Sequence, residues 1–563
     1  MLWETLSAAR DLGRLQQITS ILIRYGFGGL VPRLGLTGAL ERAGKMGRWK
    51  QVTELAQLEA PARVRRAMEE MGPTFVKLGQ ILATRVDLLS PEWIAELEKL
   101  QDRAPEVPFA EIRGQLVEDL GAAPEELFAS FDPQPMAAAS MAQVHRATLL
   151  DGTAVIIKVR RPGIRPTVEA DLRLLARLAA IAESELPDLR RYKPKELIRQ
   201  FTLSMRAEMD LASECRNAER IARNFADHDD IVVPGVYWEW VGERVNVQAY
   251  IDGVPGRDLI RVDTSGLDRK VLARRGARAV LKMMMEDGFF HADPHPGNIF
   301  YLTDNRLAFI DFGMVGRLPD HRRYQVVNLL HGLAEQDSAQ VVEVLLDWAG
   351  DTQVDIDTLT AEIAAFVDQY HGVPLKDLQL SEMLADLTTL LRDHSLSLPP
   401  DLALLIKAFI TLEGMGRQLD PEFDMVAESA PFLRRAMMAR YTPEALAKRG
   451  WAAAAGVLDI ATGLPQDLRQ LLRAARRGQF NVHVDITRLI QFGHQLDRAA
   501  SRLTVGVVTA ALLIASSIVM TVDGGPTVLG LPLFGFMGFL GALMGGLWLL
   551  ISIWRGGKYN DFQ

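Results

Sequence analysis

Cysteine is all but missing from this chain. Cys215 is the only one in 563 residues, so neither a disulfide framework nor a cysteine-built metal site can form within it. A surplus of positive charge is missing too: the net charge is −8, which argues against a general nucleic-acid binder. The first 50 residues hold no compact apolar core followed by a small-residue cleavage site, so no signal peptide is read there. What is present is a globular composition, 48% hydrophobic and 24% charged, over a length that calls for two to four structural units.

The most informative stretch is Gly288–Gly313, GFFHADPHPGNIFYLTDNRLAFIDFG. His291-Ala292-Asp293 is followed by Asn298 and then by Asp311-Phe312-Gly313. Phosphoryl transfer from ATP needs such a set: one Asp facing the attacking oxygen, and an Asn and a second Asp to hold Mg²⁺. The same order, H-x-D, Asn, D-F-G, marks protein kinases. Here Ala292 replaces the usual Arg, and Pro294, Pro296 and Gly297 shape the loop. Asp293 is therefore the candidate catalytic residue, and Asn298 and Asp311 the candidate metal ligands. Leu307–Ile310 reads as the strand that delivers Asp311.

Upstream, Asp151-Gly152 between apolar runs predicts a hairpin. Its second strand, Val155-Ile156-Ile157-Lys158, is similar to the V-A-I-K strand whose Lys contacts nucleotide phosphates and a helix Glu. Where a kinase carries a glycine-rich loop, this chain has Ala137-Ala138-Ala139-Ser140; Ala lacks the positive-φ freedom of Gly, so this loop should be stiffer. Pro194 opens a segment read as one long helix to about Phe225. It carries Glu208, Asp210 and Glu214, with Glu208 and Glu214 about 120° apart, and either could partner Lys158. Cys215 reads as a packed residue, not a nucleophile. Val236–Trp240 and Arg244–Ile251 read as a second hairpin. Lys77 and Gln80 share a helix face, and on spacing alone a solvated face is the plainer reading.

Met1–Lys50 is basic, and Leu12, Leu15, Ile18, Ile21 and Leu22 recur at helical spacing. Such a helix can lie on an anionic membrane or pack on its own domain, and both readings stand. Asp320 to about Arg477 is helical in period, with breaks at Gly350-Asp351, Gly372, Ser397–Pro400, Gly414–Gly416 and Gly463-Leu464-Pro465, and shows no site. Leu503–Val522 and Val528–Trp554 are free of charge, long enough for two transmembrane helices. Arg498, Arg502, Arg555 and Lys558 flank the pair, which places both ends and the catalytic body on the cytoplasmic side of an inner (cytoplasmic) membrane. Gly541 and Gly545 form a stripe along which the helices could approach.

Together these residues resemble the UbiB (AarF-type) atypical kinases, linked to ubiquinone biosynthesis. The resemblance runs from about Met71 to Arg317. It rests on a KxGQ motif at Lys77–Gln80, the alanine-rich loop at Ala137–Ser140 followed by Gln143-Val144-His145, the strand Lys158, an ExD motif at Glu208–Asp210 with the helix Glu at Glu214, HADPHPGN at His291–Asn298, and DFG at Asp311–Gly313. It implies an α+β, two-lobed kinase-like fold whose helical extension carries KxGQ over the nucleotide cleft. Lys77 would then face Glu208, and Glu214 would pair with Lys158. It also implies ATP and Mg²⁺ as cofactors and ATPase-like action on lipid precursors of the quinone pathway. The implied partners are such a precursor or a membrane lipid and other quinone-biosynthesis proteins, with a homodimer left open. One departure stands out: Gln248-Ala249-Tyr250 lacks the acidic residue usual at the hinge.

The resulting organisation is a basic amphipathic region (1–60), the KxGQ extension (61–130), an N-lobe (131–253), a C-lobe with helical extension (254–480), a juxtamembrane segment (481–502) and the two spans (503–554). The expected function is an ATP-binding atypical kinase or ATPase. A protein kinase acting in trans and a nucleotide-switched scaffold are the alternatives.

Overall fold

The computed structural model describes residues 9–27, 58–100, 104–185, 192–349, 354–370 and 380–440 apart from 395 and 397, then 504, 507–519, 527–528, 531–532 and 537–547. The chain divides into two units, Met1–Lys448 and Arg449–Gln563.

The first unit is α+β and mostly helical. Helices α1 (Ala9–Arg24), α2 (Ala60–Met71), α3 (Pro73–Ala83), α4 (Pro91–Leu97) and α5 (Phe109–Leu120) precede the first sheet. That sheet is antiparallel, in the order β1 (Ser130–Phe131), β3 (Ala142–Thr148), β4 (Ala154–Arg160), β6 (Val245–Ala249), with β2 (Ala137–Ala138) also on β3. Period-two alternation sets its two faces: Val155, Ile157 and Val159 are buried under α5 with Val245 and Val247, so Lys158 points the other way. Gly152 turns the β3–β4 hairpin at φ +89°, the conformation Gly adopts without penalty. Between β4 and β6 lie α6 (Ile164–Glu185), α7 (Pro194–Glu208) and α8 (Leu211–Asn224).

The segment expected as one helix from Pro194 to Phe225 is thus two. Asp210 ends the first by capping the second, accepting from Ala212 N–H at 3.1 Å. The hairpin expected over Val236–Ile251 does not form either. Trp238–Trp240 is a 3₁₀ turn, Val236 makes a single bridge to Gln248, and β6 pairs with β4 instead.

A second sheet follows, β5 (Ile231–Val232), β10 (Leu307–Phe309), β9 (Ile299–Tyr301), β7 (Val254–Pro255), together with the ribbon β8 (Phe289–His291) and β11 (Val315–Arg317). It sits among α9 (Arg269–Met285), α10 (Asp320–Glu335), α11 (Ser338–Ala349), α12 (Ile356–Tyr370), α13 (Leu380–Asp393), α14 (Pro400–Leu419) and α15 (Met425–Arg440). Met283–Met285 lie in this core. Pro400 opens α14, in keeping with the break read at Ser397–Pro400. No break occurs at Gly414–Gly416, because Gly416 is where the Phe423 ring presses on the helix, 2.4 Å from where a Cβ would stand.

The amphipathic N-terminal helix spends its apolar face inside the protein. Leu15, Ile18 and Ile21 are each 1% exposed, packed in one core with Met68, Phe75, Leu172, Phe201 and Met205. Arg14 reaches the fully buried Asp171 at 2.7 Å.

The second unit corrects the expectation of two membrane-spanning helices and the inner-membrane placement built on them. No helix among the described residues is long and apolar enough to cross a membrane. Among the described residues of this unit, 504, 507–519 and 537–547 are helical. The run that begins at Val528 is not one helix: Thr527–Val528 pairs with Leu531–Pro532 as a short ribbon. A Cβ at Gly538 or Gly545 would meet Ser516 or Thr509, whereas one at Gly541 would meet nothing within 4 Å among the described residues. Residues 481–502 and the flanking Arg498, Arg502, Arg555 and Lys558 lie outside the described residues, as do the breaks read at 350–351, 372 and 463–465.

Candidate active site

Between the two sheets lies a cavity of about 710 Å³. From the first sheet and its helices come Ala139, Ser140, Lys158 and Glu214, and from the second lobe Asp293, Asn298 and Asp311. The extension adds Lys77, and the end of α7 adds Glu208.

Lys158 Nζ donates to Glu214 Oε2 at 2.8 Å and lies 3.6 Å from Asp311 Oδ1. Burial works against its charge, but Asp311 and Glu214 more than compensate, so the ammonium is held well above the usual lysine range. Lys158 in turn is the main reason that the Asp311 carboxyl is held at about 2. Asp311 is 49% exposed to the cleft. Its backbone is left-handed, φ +58°, a conformation few non-glycine residues adopt. The side chain steadies the turn by accepting from Gly313 N–H at 3.3 Å.

The loop before it is tied together by His291. Its Nδ1 accepts from Asp293 N–H at 3.2 Å, and its Nε2–H donates to the Ile310 carbonyl at 3.1 Å. Burial lowers the affinity of His291 for a second proton, so one ring nitrogen stays free to accept. Asn298 Nδ2 donates to the Asp293 carbonyl at 3.2 Å; the amide oxygen, its acceptor end, carries no hydrogen from within the loop and suits a hard cation. Asp311 and Asn298 are thus oxygen donors of the kind Mg²⁺ takes alongside nucleotide phosphates and water. Among the described residues no group of three or more His, Cys, Asp or Glu could hold a metal.

Lys77 and Glu208 meet across the cavity at 2.7 Å. Glu208 and Glu214 therefore serve different lysines, one at the end of α7 and one in the first turn of α8. Asp210 caps α8 and pairs with Arg216 at 2.7 Å. Gln80 turns away from the cavity and donates to the Leu100 carbonyl at 3.3 Å. Gly79 lets α3 lie against α4: a Cβ there would come within 2.2 Å of Leu100 Cδ1 and 2.9 Å of Met68 Sδ. Gly79→Ala is expected to cost about 1–3 kcal/mol through overpacking, read as a lower chemical-denaturation midpoint. An unchanged midpoint would mean that the interface is slack.

Ala137 and Ala138 form β2, and only Ala139 and Ser140 reach the cavity. The turn is anchored from outside: Arg161 donates to the Ala139 carbonyl at 2.8 Å, and Ala104 N–H to that of Ala138 at 3.2 Å. Gln143 pairs with the backbone of Val107. Cys215 is buried, and burial pushes its thiol up to about 12.

Three contributions were not foreseen. Asn217, one turn after Glu214, donates to the Phe312 carbonyl at 3.0 Å and joins α8 to the DFG turn. Arg85 and Asp87 join the extension to the loop before α14. Lys407 Nζ, on α14, donates to Asp293 Oδ1 at 3.0 Å. Its signal was in the sequence: it is the only charge between Leu402 and Leu412, and a lone cation in an apolar helix needs a partner.

Comparison with known proteins follows the same lines. The ABC1 atypical kinase-like domain matches residues 99–345, the UbiB helical domain 363–424 and the ABC1/UbiB kinase-like C-terminal domain 487–555. A protein of Marinobacter nauticus named "Probable protein kinase UbiB" is 36% identical over 444 residues, 78% of this chain and 81% of its own. One of the same name from Xanthomonas oryzae pv. oryzae is 33% identical over 480 residues, 83% of this chain and 86% of its own. A solved structure titled as a complex of Rv3197 with erythromycin, from Mycobacterium tuberculosis, covers 70% of this chain and 96% of its own at 22% identity and a TM-score of 0.43; a likeness this distant carries no argument.

Proposed function

The chain belongs to the UbiB family of ABC1 atypical kinase-like proteins, and from that premise we propose that it is an ATP- and Mg²⁺-dependent atypical kinase or ATPase acting in isoprenoid-quinone biosynthesis, its turnover coupled to a lipophilic quinone precursor. The observation that carries the reading is a single cavity shared by two kinds of wall. Its lining includes Lys158, Glu214, Asp293, Asn298 and Asp311 together with the apolar Ile81, Leu197, Phe201 and Leu404. A phosphoryl-transfer set normally lines a polar groove; here it shares its cavity with apolar side chains of the kind that take up an amphiphile.

In this reading Lys158 holds the nucleotide phosphates, while Ala139 and Ser140, at the mouth of the Ala137–Ser140 turn, lie along them. Asp311 and Asn298 hold Mg²⁺, which when bound neutralises phosphate charge. Asp293 stays ionised: burial alone would raise its pKa, but Lys407 and His295 outweigh that and hold it low. It orients the attacking water or hydroxyl. The Lys77–Glu208 pair crosses the cavity where a polypeptide would enter, which disfavours transfer to a protein.

The test is ATP hydrolysis by the full chain with Mg²⁺, with and without a hydrophobic phenol as precursor mimic. Stimulation by the phenol, lost in Asp293→Asn, is the expected result. Phosphate appearing on an added protein and lost in the same variant would replace this reading with a protein kinase. Tight nucleotide binding with no turnover under any condition would replace it with a scaffold.

A further inference from the structure

The carboxylate of Asp293 is held by a part of the chain 114 residues away. Lys407 Nζ donates to its Oδ1 at 3.0 Å, and His295 Nε2 lies 3.6 Å from its Oδ2. Asn298 contacts the Asp293 main chain and not its carboxylate. Among the described residues Lys407 is therefore the only cation within hydrogen-bonding distance of this carboxylate.

The helix carrying Lys407 is built to hold still. Leu402, Leu405, Ile406 and Phe409 are buried in the main core. Its start is fixed through Leu398, whose N–H donates to Asp87 at 3.0 Å, and Arg322 lies 3.7 Å from Asp401. Pro400, Asp401 and Leu404 of this helix line the cavity, but Lys407 is not among the lining residues. Its hydrogen bond is to Asp293, which does line the cavity. A flexible lysine stem held in one geometry by a rigid helix fixes a carboxylate far better than water does.

We infer that Lys407 is a positioning residue for phosphoryl transfer, its ammonium holding one oxygen of Asp293 so that the other faces the incoming water or hydroxyl. The inference rests on the phosphoryl-transfer reading above. A residue acting this way affects the chemical step and leaves nucleotide binding alone, and its effect vanishes once Asp293 can no longer act.

The experiment measures Mg²⁺-ATP turnover and the affinity for a non-hydrolysable ATP analogue in the full chain. It compares the wild type with Lys407→Met, Lys407→Arg, Asp293→Asn and the Lys407→Met/Asp293→Asn pair. Lys407→Met should lower kcat on the order of 10²-fold, the scale of a misplaced reacting group, with KM and analogue affinity unchanged. Lys407→Arg should recover most of the loss, since its guanidinium can still donate to Oδ1. The double variant, which leaves no unpaired charge, should be no slower than Asp293→Asn alone.

Losses that multiply in the double variant would overturn the inference, because Lys407 would then act on its own. So would wild-type kcat in Lys407→Met, or a raised KM with kcat intact. A wild type that binds nucleotide and never turns it over would overturn this inference together with the reading beneath it. Turnover by wild type and Lys407→Met alike would overturn the inference alone.

Discussion

Asp311→Asn should lower Mg²⁺-dependent ATP turnover by about 10²–10³-fold, the usual scale for removing a charged contact to a transition state. The substitution keeps shape and size and removes one negative charge. That charge lies 3.6 Å from Lys158, and in the proposed function it is one of the two oxygen donors for Mg²⁺. With an amide there, Lys158 keeps Glu214 at 2.8 Å, so the lysine stays paired and the fold should survive. Asp311 is half-exposed to the cleft, so its loss leaves no buried charge stranded. The denaturation midpoint should therefore move little while turnover collapses, and added Mg²⁺ should recover only part of the rate. Wild-type hydrolysis in a folded Asp311→Asn protein would show that the metal ligand lies elsewhere.

The largest expected effect on stability is at Asp87. Its carboxylate is fully buried and accepts from Arg85 at 2.8 and 2.6 Å and from Leu398 N–H at 3.0 Å. Arg85 also donates to the Leu398 carbonyl at 3.4 Å, and Arg392 to that of Leu89 at 3.3 Å. These contacts join the extension that carries Lys77 to α13 and to the loop entering α14. Asp87→Ala would leave a guanidinium with 11% exposure facing no carboxylate and a buried N–H without its acceptor. Breaking a buried pair from one side costs about 3–5 kcal/mol. The loss should be local first: amide exchange should speed up in α3 and α4, with less change in β3 and β4. Unchanged protection over residues 73–100 would mean that the helix packing, not this latch, seats the extension.

Sequence and structure divide unevenly at this site. His291, Asp293, Asn298 and Asp311 were legible because the chemistry confines them to one short loop and strand, where spacing is a strong signal. The Asp-Gly turn marked the hairpin of Lys158, but it was the catalytic stretch downstream that singled this lysine out from a solvent-facing one. The break at Met209–Asp210 was missed because the apolar period runs on through it. Only a capping Asp marked it, and Asp also occurs within helices. Gly414–Gly416 failed the other way, since Gly signals either a break or a close approach, and here Phe423 chooses the second. The two uncharged C-terminal runs show the limit of counting: hydropathy measures how long a run is, but the second one opens in a short ribbon, Thr527–Val528 with Leu531–Pro532.

By itself the sequence determined the chemistry available: one Asp-Asn-Asp set, a strand lysine, no cysteine partner and a KxGQ-bearing extension, all set by residue identities over short spans. Of the pairings, the family resemblance already implied Lys158 with Glu214 and Lys77 with Glu208, both of which the structure forms, and only the tertiary structure supplied Lys407 with Asp293. It also decided that the amphipathic N-terminal helix spends its apolar face inside the protein. The physical reason is the same in each case. A charge or an apolar face states only that it needs a partner, and which partner it meets depends on long-range packing that no local period records.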